Sequence, residues 1–341
     1  MDYKSLTHIW LNGKKFSKEE ILTEKDDYPN HTGEVISFLK EWFSESEFLS
    51  VQTSGSTGVP KLITLPKQSF VESAINTCGF LSLNKETQAL LCIPIKYIGG
   101  KMMAIRALVS GYNLWIVEPS SSPLKKVSND VNFLAVTPMQ AQNCLNDSPE
   151  KLAKTSHVII GGGAVNNSFT EQIQSFKNEF YSTYGMTETL SHIALKRLNG
   201  PKKSDSFETL PAYTVTINNS NCLVIKCPTL FPEPIETNDI VKLTKSGFEW
   251  LGRKDNVVNS GGIKLFPEVI EGKLVKILPE TLFYLTSKKD THLGEKLVLV
   301  CEEELEINWE KVNLEKYEIP KETIIQKIVL TETGKIKRMK F

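Results

Sequence analysis

The sequence is poor in the patterns that most directly announce chemistry. Its six cysteines, Cys78, Cys92, Cys144, Cys222, Cys227 and Cys301, contain no CxxC spacing. That argues against a zinc ribbon or a dithiol redox centre and reads as reduced thiols scattered through apolar segments. The five histidines form no HxxxH pair and no triad pattern, so zinc hydrolysis and serine or cysteine nucleophilic catalysis are disfavoured. Neither sign of charge is in excess, with 40 basic and 40 acidic residues, and such a chain has no global field to recruit nucleic acid or an anionic membrane. A small-molecule partner is favoured. No apolar run approaches the roughly 20 residues of a membrane-spanning helix. The opening "MDYKSLTHIWLNGKK" has neither a long apolar core nor a small-residue cleavage site, so a cytoplasmic protein is expected. Internal repeats and low-complexity tracts are missing too.

What is present is enough chain for more than one domain: 341 residues, 40% of them hydrophobic, predict two domains of unequal size. The first informative stretch is "SVQTSGSTGVPKLITL", from Ser50 to Leu65. Alternating apolar residues on either side predict two strands joined by a Gly-rich connection. Gly55 and Gly58 permit close approach of a ligand, Ser54, Ser56 and Thr57 add hydroxyl donors, and Lys61 supplies a cation, an inventory suited to polyphosphate. It is not a Walker A loop, which needs Gly before the lysine and a hydroxyl after it, where this chain has Pro60 and Leu62. An ordinary hairpin loop would have a similar composition.

Beyond the hairpin, Phe70, Ala74, Cys78 and Leu81 recur at helical spacing and "ALLCIPI" follows as a buried strand. The alternation continues through strands in "YNLWIVEP" and "VNFLAVTP", a helix from Met139 to Leu145, a strand and Gly turn in "HVIIGGGA", and a helix from Asn167 to Phe176. Repeated βα units predict an α/β fold, a largely parallel sheet covered by helices, with ligands at the carboxyl ends of its strands. Gly161-Gly162-Gly163 and "YSTYGMTET" are therefore candidates for one ligand-facing edge. From about Leu210 short strands separated by Asn, Ser, Gly and Pro suggest a small antiparallel barrel or sheet. The charged interruption "GRKDN" precedes a fresh strand, Gly turn and helix, which sets the expected boundary between an N-terminal domain, 1–254, and a C-terminal domain, 255–341.

Four motifs in this order resemble the adenylate-forming superfamily of acyl-CoA synthetases, peptide-synthetase adenylation domains and luciferases. "TSGSTGVPK" (Thr53 to Lys61) is similar to the family's phosphate loop, "YGMTET" (Tyr184 to Thr189) to its adenine and magnesium segment, "GRKDNVVNSGGIKLFPEVIE" to its hinge and thiol-channel segment, and "TETGKIKR" to the loop carrying its catalytic lysine. With "IPIKYIGGKMMAIRAL", the chain looks most like the compact o-succinylbenzoate-CoA ligases of menaquinone synthesis. The resemblance implies a large helix-flanked sheet domain with a small barrel-like portion, followed by a small mobile α+β lid domain. It implies ATP and coenzyme A as co-substrates and Mg²⁺ as cofactor.

Residue by residue, the resemblance wraps Ser54, Gly55, Ser56, Thr57 and Gly58 around the β- and γ-phosphates of ATP, with Lys61 nearby and Thr53 in the same ATP-binding set. Thr187 would bond the α-phosphate and Glu188 would ligate Mg²⁺, a hard cation suited to one or two carboxylates plus phosphate oxygens. Without the family, Thr187 or Thr189 would read as a helix cap. Gly162, Gly163 and Ala164 would floor the adenine, with Tyr184 and Gly185 beside it, and Asp239 and Arg253 would take the ribose hydroxyls. Asp255 falls at the hinge, Gly261 and Gly262 in the thiol channel, and Lys335 at the catalytic position. Tyr97, Lys101 and Arg106 fall in the acyl-binding segment, and a charge in so apolar a helix invites a ligand carboxylate. Departures from the family are Asn238 for the usual Gly, Tyr97 where many relatives have His, and Val329-Leu330-Thr331 in place of a Pro-Arg lead-in. The stretch before the phosphate loop is short, so either the core is smaller or a homodimer partner covers it. The expected activity is ATP-dependent ligation of a carboxylic acid to coenzyme A through an acyl-adenylate. The alternatives are a ligase for another aryl or acyl group, a carrier-protein-loading adenylation enzyme and a nucleotide-binding pseudoenzyme.

Overall fold

In the computed structural model, which describes residues 1–25, 28, 30–52, 62–275, 277–278, 281–330 and 336–341, the chain divides into two compact units. The first comprises Met1–Val165, Ile173–Thr214 and Lys226–Pro234, the second Asn166–Gln172, Val215–Ile225 and Ile235–Phe341.

The first unit opens with β1 (His8–Leu11), β2 (Lys14–Ser17), α1 (Lys18–Thr23) and α2 (Asn30–Phe43). Sequence periodicity did not reveal these elements. α2 buries Val35, Ile36, Phe38, Leu39, Trp42 and Phe43. The expected hairpin follows: β3 (Phe48–Gln52) pairs antiparallel with β4 (Leu62–Pro66), with Gln52 opposite Leu62. Residues 53–61, which join them, lie outside the described residues. Helices then alternate with strands through α3 (Lys67–Phe80), β5 (Gln88–Leu91), α4 (Ile98–Ser110), β6 (Asn113–Ile116), β7 (Phe133–Val136), α5 (Pro138–Asp147), α6 (Pro149–Lys154), β8 (His157–Ile160) and β9 (Glu179–Gly185).

Six strands form a parallel sheet in the order β9-β8-β7-β5-β6-β1, as helical crossovers require. Antiparallel partners flank it, β2 beyond β1, and β10 (His192–Arg197) then β11 (Phe207–Thr209) beyond β9. β7 reads as a continuous apolar run because all four of its residues are buried. Local signals set the helix ends. Thr137 and Gln140 form a reciprocal cap with Pro138 in the first helical position of α5, and Gly111, at φ 69°, terminates α4.

In the second unit, α7 (Asn167–Gln172) stands apart in sequence from the rest. β12 (Thr214–Ile217), β13 (Cys222–Lys226), β14 (Ile235–Leu243) and β15 (Gly247–Arg253) form a ladder in chain order, antiparallel from β13 through β15. β16 (Val258–Ser260), a Gly261-Gly262 turn and β17 (Ile263–Leu265) form a hairpin, followed by α8 (Pro267–Leu274). β18 (Phe283–Asp290), β19 (Gly294–Cys301) and β20 (Glu322–Ile325) complete a sheet in the order β17-β16-β19-β18, with β20 parallel to β19. Alternation along β18 and β19 sorts their side chains to two faces. Phe283, Leu285, Leu297 and Leu299 meet Ile270 and Leu274 of α8, while Tyr284 and Val300 join Ile328 in a separate cluster. No helix among the described residues is long and apolar enough to cross a membrane.

Candidate active site

The registers Val136↔Ile160 and Ile160↔Ser182 bring the carboxyl ends of β7, β8 and β9 to one edge of the parallel sheet. Gly161-Gly162-Gly163 leaves that edge after β8, and β9 ends in Tyr184 and Gly185 with Met186 to Thr189 following it, so the two segments share an edge. Gly161 lies so close to β9 that a Cβ on it would come within 2.6 Å of Thr183 Oγ1. Gly162 has φ 85°, a conformation open to glycine and costly for other residues. Gly162, Gly163 and Ala164 are exposed, a bare backbone surface against which a planar ring can lie.

At the end of β9, Tyr184 sets its ring edge-on to Phe207, 5.7 Å between centroids. A Cβ on Gly185 would collide with the Ser191 carbonyl and the His192 backbone, so this glycine lets β9 fold back into β10. Thr187–Thr189 form a 3-10 turn. It is Thr189, buried, that holds the turn: its hydroxyl accepts the Met186 N–H at 3.0 Å and lies 2.7 Å from the Ser191 carbonyl. Among the described residues neither Thr187 nor Glu188 has a side-chain hydrogen bond or ion pair, so the hydroxyl and carboxylate assigned to phosphate and metal are not used by the fold. Leu190 follows at φ 66°, strained for a residue with a Cβ. No group of three or more His, Cys, Asp or Glu among the described residues could enclose a metal. An exposed carboxylate alone suits Mg²⁺, which keeps waters and shares phosphate oxygens.

The acyl-segment residues separate sharply. Tyr97 is the N-cap residue of α4 and half-exposed. Lys101 is nearly buried but partnered, with Nζ 4.0 Å from Glu41 and 4.5 Å from the centre of the Phe38 ring. Arg106, one and a half turns further along α4, is 2% exposed. Its guanidinium donates to Ser191 Oγ at 2.7 Å and approaches the Met103 sulfur at 4.0 Å, and Nε has no partner. Among the described residues no carboxylate faces it. Its neighbour His192, whose Nε2 lies 3.0 Å from Thr77 Oγ1, is held neutral: burial first, and the arginine second, push its pKa well below the ordinary histidine value. The sequence carried no signal for Ser191 or His192 beyond their place directly after the "YGMTET" motif.

In the second unit, Asp239 and Arg253 are cross-strand partners on β14 and β15. The guanidinium is 3.6 Å from Asp239 Oδ1, which also accepts from Trp250 Nε1 at 3.1 Å. The register thus makes one acceptor-donor pair of two residues distant in sequence. Asp255, in the 3-10 turn Lys254–Asn256, is exposed and 3.9 Å from Arg253. Gly261 and Gly262 have φ 57° and 83° in the exposed β16–β17 turn. Thr53, Ser54, Gly55, Ser56, Thr57, Gly58, Lys61 and Lys335 lie outside the described residues.

Comparison with known proteins gives this geometry a context. The AMP-binding enzyme family matches residues 4–235. The curated 2-succinylbenzoate–CoA ligase of Haemophilus influenzae is 26% identical over 275 residues, 73% of this chain and 58% of its own length. Its namesake from Listeria monocytogenes is 25% identical over 344 residues, 90% of this chain and 72% of its own. The chain therefore spans less than two thirds of one of these relatives and nearly three quarters of the other. Among solved structures, an acyl-CoA synthetase (AMP-forming)/AMP-acid ligase II-like protein from Dyadobacter fermentans superposes with a TM-score of 0.68 at 33% identity, covering 95% of this chain and 97% of that one. O-succinylbenzoate coenzyme A synthetase from Bacillus subtilis, in complex with ATP and magnesium ion, shares the fold, with a TM-score of 0.70 at 19% identity over 84% of this chain and 68% of that one. With the family match over residues 4–235 and the identity to the Dyadobacter protein along nearly its whole length, this chain belongs to the AMP-binding enzyme family.

Proposed function

We propose that the protein joins a carboxylic acid bearing a second anionic group to the thiol of coenzyme A, through an acyl-adenylate, and that o-succinylbenzoate is that acid. The observation that carries the choice of acid is Arg106, a buried guanidinium with no carboxylate facing it among the described residues. An uncompensated buried charge costs several kcal/mol, and a substrate carboxylate is the natural counter-charge, since Arg forms a two-pronged pair with it. The names of the curated relatives point to the same acid.

In the first half-reaction an oxygen of the acid's reacting carboxylate attacks the α-phosphorus of ATP, and the bond to pyrophosphate breaks. In the second, the thiol gives up its proton, its sulfur attacks the acyl carbon, and AMP leaves with the bonding pair. Mg²⁺, when bound, neutralises charge on the departing phosphates, with Glu188 as its protein ligand. Thr187 bonds the α-phosphate, and the backbone surface of Gly162 to Ala164 takes the adenine beside Tyr184. In the second unit Asp239 accepts from the ribose hydroxyls and Arg253 donates to them. The phosphate loop from Thr53 to Lys61 and the lysine Lys335 carry the roles that the family resemblance assigns them, with Asp255 as hinge and Gly261-Gly262 in the thiol channel. The reaction is placed in the cytoplasm, where ATP and coenzyme A are available.

Pyrophosphate release measured across aromatic and aliphatic acids tests the reading. Dicarboxylic o-succinylbenzoate should be turned over far better than benzoate or a simple fatty acid. A preference for monoanionic acids would refute the assignment of Arg106. Offering free coenzyme A against a phosphopantetheinylated carrier identifies the acceptor.

A further inference from the structure

In the second unit, the residues on either side of 331–335 are joined by hydrogen bonds. Leu330 and Ile336 form an antiparallel bridge, and Lys337 N–H donates to the Val329 carbonyl at 2.8 Å. The next residue, Arg338, places its guanidinium on both carboxylate oxygens of Glu271 in α8, with Nη2 to Oε2 at 2.7 Å. Both side chains are largely buried, 20% and 15% exposed. The pair also straddles β18. Glu271 accepts the Leu285 N–H at 2.6 Å, and Arg338 donates to the Leu285 carbonyl at 2.9 Å. Beyond it the chain runs along β18, with the Met339 carbonyl accepting from Thr286 Oγ1 at 2.7 Å and Phe341 exchanging bonds with Ser287 and Lys289.

One turn earlier on the same face of α8, Glu268 accepts from Asn256 Nδ2 at 2.5 Å and from the Arg253 N–H at 3.4 Å. Gly252 packs so closely on Glu268 that a Cβ there would overlap the carboxylate. Two carboxylates three residues apart on one helix therefore hold two segments: residues 252–256, and the C-terminal residues around Arg338.

We propose that Glu271 and Arg338 are positioning residues for adenylate formation: their two-pronged pair fixes the chain at Arg338, three positions after Lys335 in the sequence, to α8. Neither residue touches a substrate in this role. The inference rests on the assignment of Lys335 above. A pair serving only the integrity of the unit would support both half-reactions alike, whereas a positioning pair for Lys335 supports the first alone.

The test measures the two half-reactions separately in Glu271→Gln, Arg338→Gln, Arg338→Lys and the double Gln variant, with Lys335→Ala in parallel. The Gln variants should slow adenylate formation roughly 10- to 100-fold with KM for ATP and acid within about twofold, the mark of lost positioning rather than lost binding. Thiolysis of supplied acyl-adenylate should stay within about threefold of wild type. The double variant should be no slower than the slower single, because both changes break one unit. Arg338→Lys, which keeps the charge but not the fork, should recover part of the rate. Equal losses in both half-reactions, or additive losses in the double variant, would overturn the proposal. If Arg338→Gln does not fold, Glu271→Gln and Arg338→Lys decide by the same half-reaction ratio. Full-rate adenylation in the Gln variants while Lys335→Ala is slow would overturn the positioning role alone. An unimpaired Lys335→Ala would remove the assignment on which it rests.

Discussion

Replacing Arg106 by methionine separates a binding role from a structural one, because the two roles predict opposite signs of stability change. The guanidinium is buried, bonded to one hydroxyl and one sulfur, and has an unpartnered Nε. In the ligand-free protein its burial is therefore poorly compensated. Buried charged groups replaced by apolar side chains of similar volume are often neutral or stabilising by about 1 to 4 kcal/mol. Arg106→Met should accordingly match or exceed wild type in denaturant midpoint. The loss should appear in catalysis instead. A charge-assisted bond to a carboxylate is worth about 1.5 to 3 kcal/mol, so losing the fork should lower kcat/KM for o-succinylbenzoate by roughly 10² or more. The KM for ATP should move less than about threefold. Differential scanning with saturating acid supplies the cross-check. The acid should raise the melting temperature of the wild type and leave that of Arg106→Met nearly unchanged. A variant that melts much earlier, with the acid KM intact, would show that Arg106 serves the core and that the counter-charge argument is wrong.

Lys335→Ala should slow adenylate formation by about 10² to 10³, the value of one preorganised cation at a developing phosphate charge, while thiolysis of supplied acyl-adenylate survives; equal loss in both would contradict a role confined to the first step. Asp255→Pro removes an N–H and fixes φ, so thioester formation should fall while adenylation, followed by pyrophosphate release, persists. A wild-type thioester rate would move the hinge elsewhere. Gly185→Ala puts a Cβ into the backbone of Ser191 and His192, and should cost about 2 kcal/mol or more in urea denaturation together with most of the ATP-dependent activity. His192 bears on pH. Its folded pKa lies well below its unfolded value near 6.5, through burial and then Arg106, so the stabilisation is complete above that value and is lost as pH falls. The slope should be at most about 1.4 kcal/mol per pH unit, and His192→Phe should flatten it in urea melts between pH 7 and 5. His157, depressed by burial against the opposing effect of Glu179, adds a smaller slope in the same window, and an unchanged profile in the variant would assign the whole effect there.

Local interactions made much of the protein legible from its residues alone. The βα alternation, the β3–β4 hairpin, the strand and Gly turn after His157, and the strand, Gly turn and helix from Val258 to Leu274 follow from periodicity and from glycine and proline placement, both short-range properties. The four motifs stand in the order that the resemblance to the adenylate-forming family rests on, and two of them, Thr53 to Lys61 and the segment of Lys335, fall on residues outside those described. Three matters were not local. β1 and β2 are four-residue strands, too short to show a period, and β1 is a strand because it pairs with the edge of β6. Thr187 and Thr189 are equivalent as sequence, and only packing makes Thr189 the structural hydroxyl while Thr187 is left available. Lys101 and Arg106 are two cations on one apolar helix, yet Glu41 and Phe38 satisfy the first and nothing charged among the described residues meets the second. Pairings such as Asp239 with Arg253 and Glu271 with Arg338 depend on strand register and helix docking across 14 and 67 positions of chain. Composition and spacing determine which chemical groups the chain possesses and which elements carry them. Which of those groups the fold consumes, and which it leaves for a ligand, is settled only when distant segments compete for the same partners.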